Sequence, residues 1–115
     1  RRAFDVTSAG QEAALASIAD TAEIARRRGL NREAMALLTD ALRRGGLEPV
    51  GPAVANFVFV EVDDAAGLND ALLHRGVIVR PMGAFGAPDA LRITAGTPDE
   101  IAYLEEALRT VSALR

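Results

Sequence analysis

Cysteine, tryptophan and lysine are all missing from this 115-residue chain, and histidine occurs once, at position 74. Without cysteine there is no disulfide framework and no thiolate-ligated zinc or iron–sulfur site. A single histidine removes the multi-histidine metal centres and gives no support to a Ser–His–Asp or Cys–His arrangement. All 13 basic residues are arginine, so no side chain here can form a Schiff base with a carbonyl group. Aromatics make up only 4% of the chain and the net charge is −3, a balance that gives no general attraction to nucleic acid, and no nucleic-acid partner is expected. Long apolar runs are also missing. Nothing approaches the roughly 20 residues that cross a bilayer, and the N-terminus carries no apolar signal core. A cytoplasmic protein with no membrane partner is the expectation. The chain opens on arginine rather than methionine, so the expectation is that it is either processed or a piece of something longer.

What is present is enough apolar residue, 50% of the chain, to close one core without a metal or disulfide staple. The densest β-forming stretch is residues 55–62, AlaAsnPheValPheValGluVal. Two-residue alternation puts Phe57, Phe59 and Glu61 on one face and Val58, Val60 and Val62 on the other, so both faces are largely apolar and Glu61 leaves the core. Residues 77–80 and 90–94 are two further strand candidates. In the latter, Leu91 and Ile93 share a face and Arg92 takes the other.

Helices surround these strands. Ser8 and Gln11 fit a capping box, followed by a stripe at Leu15, Ile18, Ala22 and Ala25. Asp20 with Glu23 predicts a second start near Thr21. Gly29 and Asn31 invite a break, although pattern alone leaves open whether Gly29 breaks the helix or only weakens it. Ala34, Leu37, Leu38, Ala41 and Leu42 then form an apolar stripe up to Gly45 and Gly46. Asp63 and Asp64 can start a third helix, with Leu68, Leu72 and Ala71 inward, ending at Gly76. Thr97, Pro98, Asp99 and Glu100 are the clearest local signal. Threonine as N-cap, proline at the first helical position and glutamate three residues after the cap predict a helix with Ile101, Leu104, Ala107, Leu108 and Val111 inward.

Few motifs suggest chemistry. The arginine run 26–28 reads as a solvated helix face, because no aromatics are interleaved with it. His74 lies in the last turn of a helix with Arg75 as its companion and reads as a surface residue. Residues 82–88 hold two glycines in a flexible connection, but the spacing is not that of a phosphate-cradling loop. The architecture is α+β: a small mixed sheet of three to four strands with helices packed on one face. The helix between the first two strands allows a parallel crossover, and the connection through 81–89 allows an antiparallel pair.

The residues AlaAsnPhe at 55–57, HisArgGly at 74–76, ValIleValArgPro at 77–81 and LeuArgIleThrAlaGlyThrProAspGlu at 91–100, in this order and spacing, resemble the small C-terminal domain of the histidinol-phosphate aminotransferases. These are fold-type I pyridoxal-phosphate enzymes. Residues 4–18 resemble the segment that leads into that domain, so the resemblance divides the chain into an interdomain lead-in with a short helix, 1–19, and a small domain, 20–115. It implies that Arg92 meets an acidic group of the amino substrate, that Arg80 lies close to the same site, and that Asn56 and Phe57 line the cleft near the domain junction. It also implies a continuous helix over residues 21–44. Asp5 and Thr7 stand where the family often has asparagines.

The resemblance further implies that pyridoxal 5'-phosphate is held by a large domain outside these residues, which would be the partner of this one, and that the full-length protein is a homodimer. The implied reaction is transamination between histidinol phosphate and 2-oxoglutarate in histidine biosynthesis. This chain would contribute substrate binding, with no catalytic, cofactor-binding or metal-binding residue of its own. Other amino-acid aminotransferases and threonine-phosphate decarboxylases share much of the pattern. A different class of alternative is a non-catalytic α+β interaction or regulatory domain, in which Arg80 and Arg92 are surface ion-pairing residues.

Overall fold

The computed structural model describes residues 5–112, so Arg1, Arg2 and Phe4 of the expected lead-in lie outside the described residues. The chain separates into two compact units, Arg1–Leu30 and Asn31–Arg115. In the first, helix α1 (Ser8–Ala19) is capped by Thr7, whose hydroxyl accepts from the Gly10 N–H at 3.1 Å. The cap therefore falls one residue before the expected Ser8, and the Gln11 amide reaches back to the Val6 carbonyl. None of the α1 residues is buried, and Leu15 and Ile18 of the expected stripe are 65% and 69% exposed. Asp20 accepts from the Glu23 N–H at 3.0 Å and starts α2 (Thr21–Arg44), as expected. Arg26 forks onto Glu23 at 2.6 and 2.7 Å and Arg27 donates to it through Nε at 2.8 Å, and this pairing accounts for most of the arginine run.

Helix α2 is continuous through Gly29, where a single glycine weakens a helix without ending it. Asn31 lies inside it and donates to the Ala55 carbonyl at 3.2 Å rather than capping anything. Its core-facing residues are Met35, Leu38, Ala41 and Leu42, whereas Leu37 is 44% exposed. The apolar seam follows i, i+3, i+7 from Met35, which turns Leu37 outward. The helix ends at Gly46 (φ +81°), with Leu47 N–H reaching back to Leu42 and Gly46 N–H to Arg43, a Schellman closure.

In the second unit β1 (Phe57–Glu61) leads to α3 (Ala65–Leu73), β2 (Arg80–Pro81), a 3₁₀ turn (Gly83–Phe85), β3 (Ala90–Thr94) and α4 (Pro98–Ser112). The sheet order is β1-β3-β2 and both neighbouring pairs are antiparallel, so the sheet is antiparallel rather than mixed. Strands β1 and β2 run parallel to each other, as a crossover through α3 requires, but β3 lies between them. Residues 77–79 are not strand: Val77 N–H closes the end of α3 onto Leu72, and pairing with β3 begins only at Arg80. The other edge of β1 is met by a bridge from Pro49 to Val60, with Val50 N–H donating to the Phe59 carbonyl at 2.8 Å.

One face of the sheet carries Val58, Val60, Leu91 and Ile93, each at most 3% exposed, against Leu38 and Leu42 of α2, Leu68 and Leu72 of α3, and Ile101, Leu104 and Leu108 of α4. The register pairs Val58 with Ile93 and Val60 with Leu91, which sets Phe57, Phe59 and Glu61 with Arg92 and Thr94 on the opposite face. That face is largely open: Phe57, Glu61 and Thr94 are exposed and Phe59 and Arg92 half-buried. Asp64 caps α3 through the Gly67 N–H at 2.8 Å, and Thr97 and Glu100 make the expected reciprocal box at α4. Among the described residues no helix is long and apolar enough to cross a membrane, and no group of three or more His, Cys, Asp or Glu side chains could hold a metal ion.

Candidate functional site

Strand β3 is the central strand, and Arg92 stands at its midpoint on the open face. Leu91 and Ile93 are anchored in the core on either side, so the backbone that carries Arg92 is fixed on both flanks. Across the ladder, Arg92 pairs in register with Phe59 of β1 and with Arg80 of β2. The two arginines expected from the sequence are thus direct cross-strand neighbours on one face. Like charges so placed repel unless an anion lies between or beside them.

Among the described residues the Arg92 guanidinium has no ion-pair partner. Its Nε is buried with no hydrogen-bond partner, and the Phe57 ring centroid lies 5.1 Å from Cζ. Arg80 is exposed and likewise has no ion-pair partner among the described residues. Several arginines elsewhere do find carboxylates, Arg43 with Glu48, Arg44 with Glu105 and Arg109 with Glu106, although among the described residues Arg28, Arg32 and Arg75 do not. A half-buried guanidinium with five donors and no acceptor among the described residues has the chemistry to take a carboxylate or phosphate.

Both arginines line an open cavity of about 1000 Å³ between β2, the end of β3 and the first turns of α4. Its wall also includes Ile78, Phe85, Tyr103 and Glu100. Glu100 is held below the usual carboxylate range, first by the backbone N–H of Thr97 and then by its hydroxyl, so it remains an anion committed to the cap. Tyr103 donates to the Arg75 carbonyl at 2.8 Å. Asn56 and Phe57 are not part of this wall. Asn56 accepts from the Ala95 N–H at 2.9 Å beside the exit of β3, and Phe57 joins the site only through Arg92. His74 lies apart, at the end of α3, with Nδ1 2.9 Å from the Asp70 carbonyl and 3.6 Å from its carboxylate. The companion of His74 is thus Asp70, one turn back, rather than the adjacent Arg75 that the sequence suggests. The Phe57–Arg92 contact is also hidden in the sequence; it becomes visible once β1 and β3 are set in antiparallel register, because the two residues are then diagonal neighbours.

The three-stranded antiparallel sheet with helices packed on one face is an aminotransferase-domain-like architecture, and the profile of the family described as aminotransferase class I and II matches residues 1–108. The chain belongs to that family. It is 50% identical over 117 residues to histidinol-phosphate aminotransferase 1 of Cupriavidus pinatubonensis, covering 95% of this chain and 31% of that protein. It is 46% identical over 110 residues to the histidinol-phosphate aminotransferase of Symbiobacterium thermophilum, covering 95% and 30%. A crystal structure from Erwinia carotovora atroseptica, provisionally assigned as a histidinol-phosphate aminotransferase, superposes with a TM-score of 0.78 at 28% identity over 91% of this chain and 30% of that one. The fold is shared with an aspartate aminotransferase mutant of Thermus thermophilus at a TM-score of 0.68 and 24% identity, covering 78% and 26%. The chain therefore spans less than a third of the length of each of these.

Proposed function

We propose that this chain is the small domain of a pyridoxal-phosphate-dependent aminotransferase acting on histidinol phosphate and 2-oxoglutarate, with residues 1–19 as the interdomain lead-in and 20–115 as the domain. The reading rests on one observation, the unneutralised Arg92 guanidinium on the open sheet face with Arg80 beside it at the cavity. Relatives at 50% and 46% identity carry the histidinol-phosphate name, which favours that substrate over other amino acids and over decarboxylation of threonine phosphate.

The residues of this chain do not themselves make a site for the cofactor, since there is no lysine to bond its aldehyde. The cofactor and the chemistry it supplies belong to a large domain outside these residues, with which this domain would form one subunit of a homodimer. What Arg92 and Arg80 do is bind and orient. A guanidinium fork grips a carboxylate or phosphate through two charge-assisted bonds, and a rigid strand beneath it fixes where the rest of the substrate points. The contribution to rate is positional. On this reading Asn56, just before the start of β1, belongs near the junction with that large domain.

The test is product analysis with the complete protein. Conversion of histidinol phosphate and 2-oxoglutarate to the oxo product and glutamate supports the reading. Release of carbon dioxide from threonine phosphate without amino transfer supports the decarboxylase alternative. Absence of any pyridoxal-phosphate-dependent turnover, with Arg80 and Arg92 freely substitutable, supports the regulatory-domain alternative. The isolated 115-residue chain should be inactive in each assay.

A further inference from the structure

The geometry points to Phe57 as the positioning residue for Arg92: its ring holds the guanidinium on the β1 side of the sheet, away from Arg80, so that the fork stays aimed at the incoming anion. The inference rests on the clamp reading of Arg92 and adds the group that makes that clamp rigid.

Three observations carry it. First, among the described residues the ring is the one group seen to hold the Arg92 side chain. No described residue accepts a hydrogen bond from it, its Nε is buried without a partner, and Cζ lies 5.1 Å from the Phe57 centroid, within the range of a cation–π contact. Second, the register makes the contact structural. Phe57 pairs with Thr94 and Phe59 with Arg92, so Phe57 and Arg92 are diagonal neighbours on one face, a separation that long side chains span. Third, Arg92 needs a restraint. Arg80 stands directly opposite it on β2, and in the absence of substrate the two cations repel. An aromatic face on the far side attracts one of them without supplying a carboxylate, which would neutralise the charge meant for the substrate. The carboxylate nearest in the ladder on that face, Glu61, lies four residues along β1 from Phe57, opposite Ala90 rather than Arg92.

Phe57 touches no reacting atom in this account and acts only through Arg92. The experiment is a double-mutant cycle in the complete protein with Phe57→Leu, Phe57→Tyr, Arg92→Lys and the Phe57→Leu/Arg92→Lys pair. KM and kcat are measured for histidinol phosphate and for glutamate, alongside the thermal midpoint of each variant. Phe57→Leu keeps apolar cover but removes the ring, and should raise KM for both substrates by about threefold to tenfold, the range a partly desolvated cation–π contact implies. Phe57→Tyr should restore the wild-type KM. In the Arg92→Lys background Phe57→Leu should have little further effect, because the fork it positions is gone. A merely structural role would lower the thermal midpoint and the active fraction, hence apparent kcat, and leave KM unchanged.

If Arg92→Lys impairs the enzyme but Phe57→Leu leaves KM unchanged, is not rescued by tyrosine, or adds its full effect on top of Arg92→Lys, the positioning role is overturned and the clamp stands. If Arg92→Lys itself changes nothing, the clamp is overturned and the role of Phe57 with it.

Discussion

Thr97 shows how much a single side chain decides here. Its hydroxyl accepts from the Glu100 N–H at 3.3 Å and meets the Glu100 carboxylate at 2.9 Å, while its own N–H donates to that carboxylate at 2.7 Å. Thr97→Ala should destabilise the domain by about 1 kcal/mol in chemical denaturation. It should raise the Glu100 pKa only part of the way to the ordinary value, because the larger cause, the backbone N–H, survives the substitution. Glu23 gives the clearest pH signature. Hydrogen bonds from Arg26 and then Arg27 lower its pKa from the ordinary 4.5 to about 2. A carboxylate depressed in the folded state contributes stability above its unfolded value and loses it as pH falls through the folded one. Helix content in α2 should therefore weaken between pH 4.5 and about 2, and the effect should shrink with added salt because the pair is exposed. A carboxyl titration midpoint for Glu23 at the ordinary value would contradict this.

Among the elements, those with a strong local signal were legible and those made by pairing were not. The five inward residues of α4 and the Asp64 start of α3 follow from capping and period alone, and all five are buried. The stretch 77–79 has β-branched residues but belongs to the exit from α3, where Gly76 (φ +76°) turns the chain and Val77 is bonded back to Leu72. Local propensity cannot see that a backbone donor is already taken. Sheet direction was hidden for the same reason, since it depends on β3 inserting between β1 and β2. Gly29 offers a direct test of the continuous helix. Nothing lies within 4 Å of where its Cβ would be, so Gly29→Ala should stabilise α2 by up to about 1 kcal/mol, read as a higher denaturation midpoint. A broken helix at this point would show no gain. Val60→Asp, by contrast, puts a charge at a fully buried position of β1 and should destabilise by several kcal/mol.

For the whole molecule, Arg92 and Arg80 were legible as residues from the motif they sit in, but the reason they matter was not. That both lie on one face, as cross-strand neighbours without a carboxylate, comes from the register, and the hold that Phe57 exerts comes from a diagonal across two strands 35 positions apart in sequence. The central claim is that Arg92 grips an acidic group of each substrate, the phosphate of histidinol phosphate and a carboxylate of glutamate. The measurement that tests it most directly is kcat/KM for histidinol phosphate and for glutamate in the complete protein, wild type against Arg92→Lys, with the cofactor absorbance matched between the two. Lysine keeps the charge and loses the two-pronged geometry, so kcat/KM should fall for both substrates, by about tenfold or more if one charge-assisted bond is lost. Equal values for wild type and variant with both substrates would contradict the account.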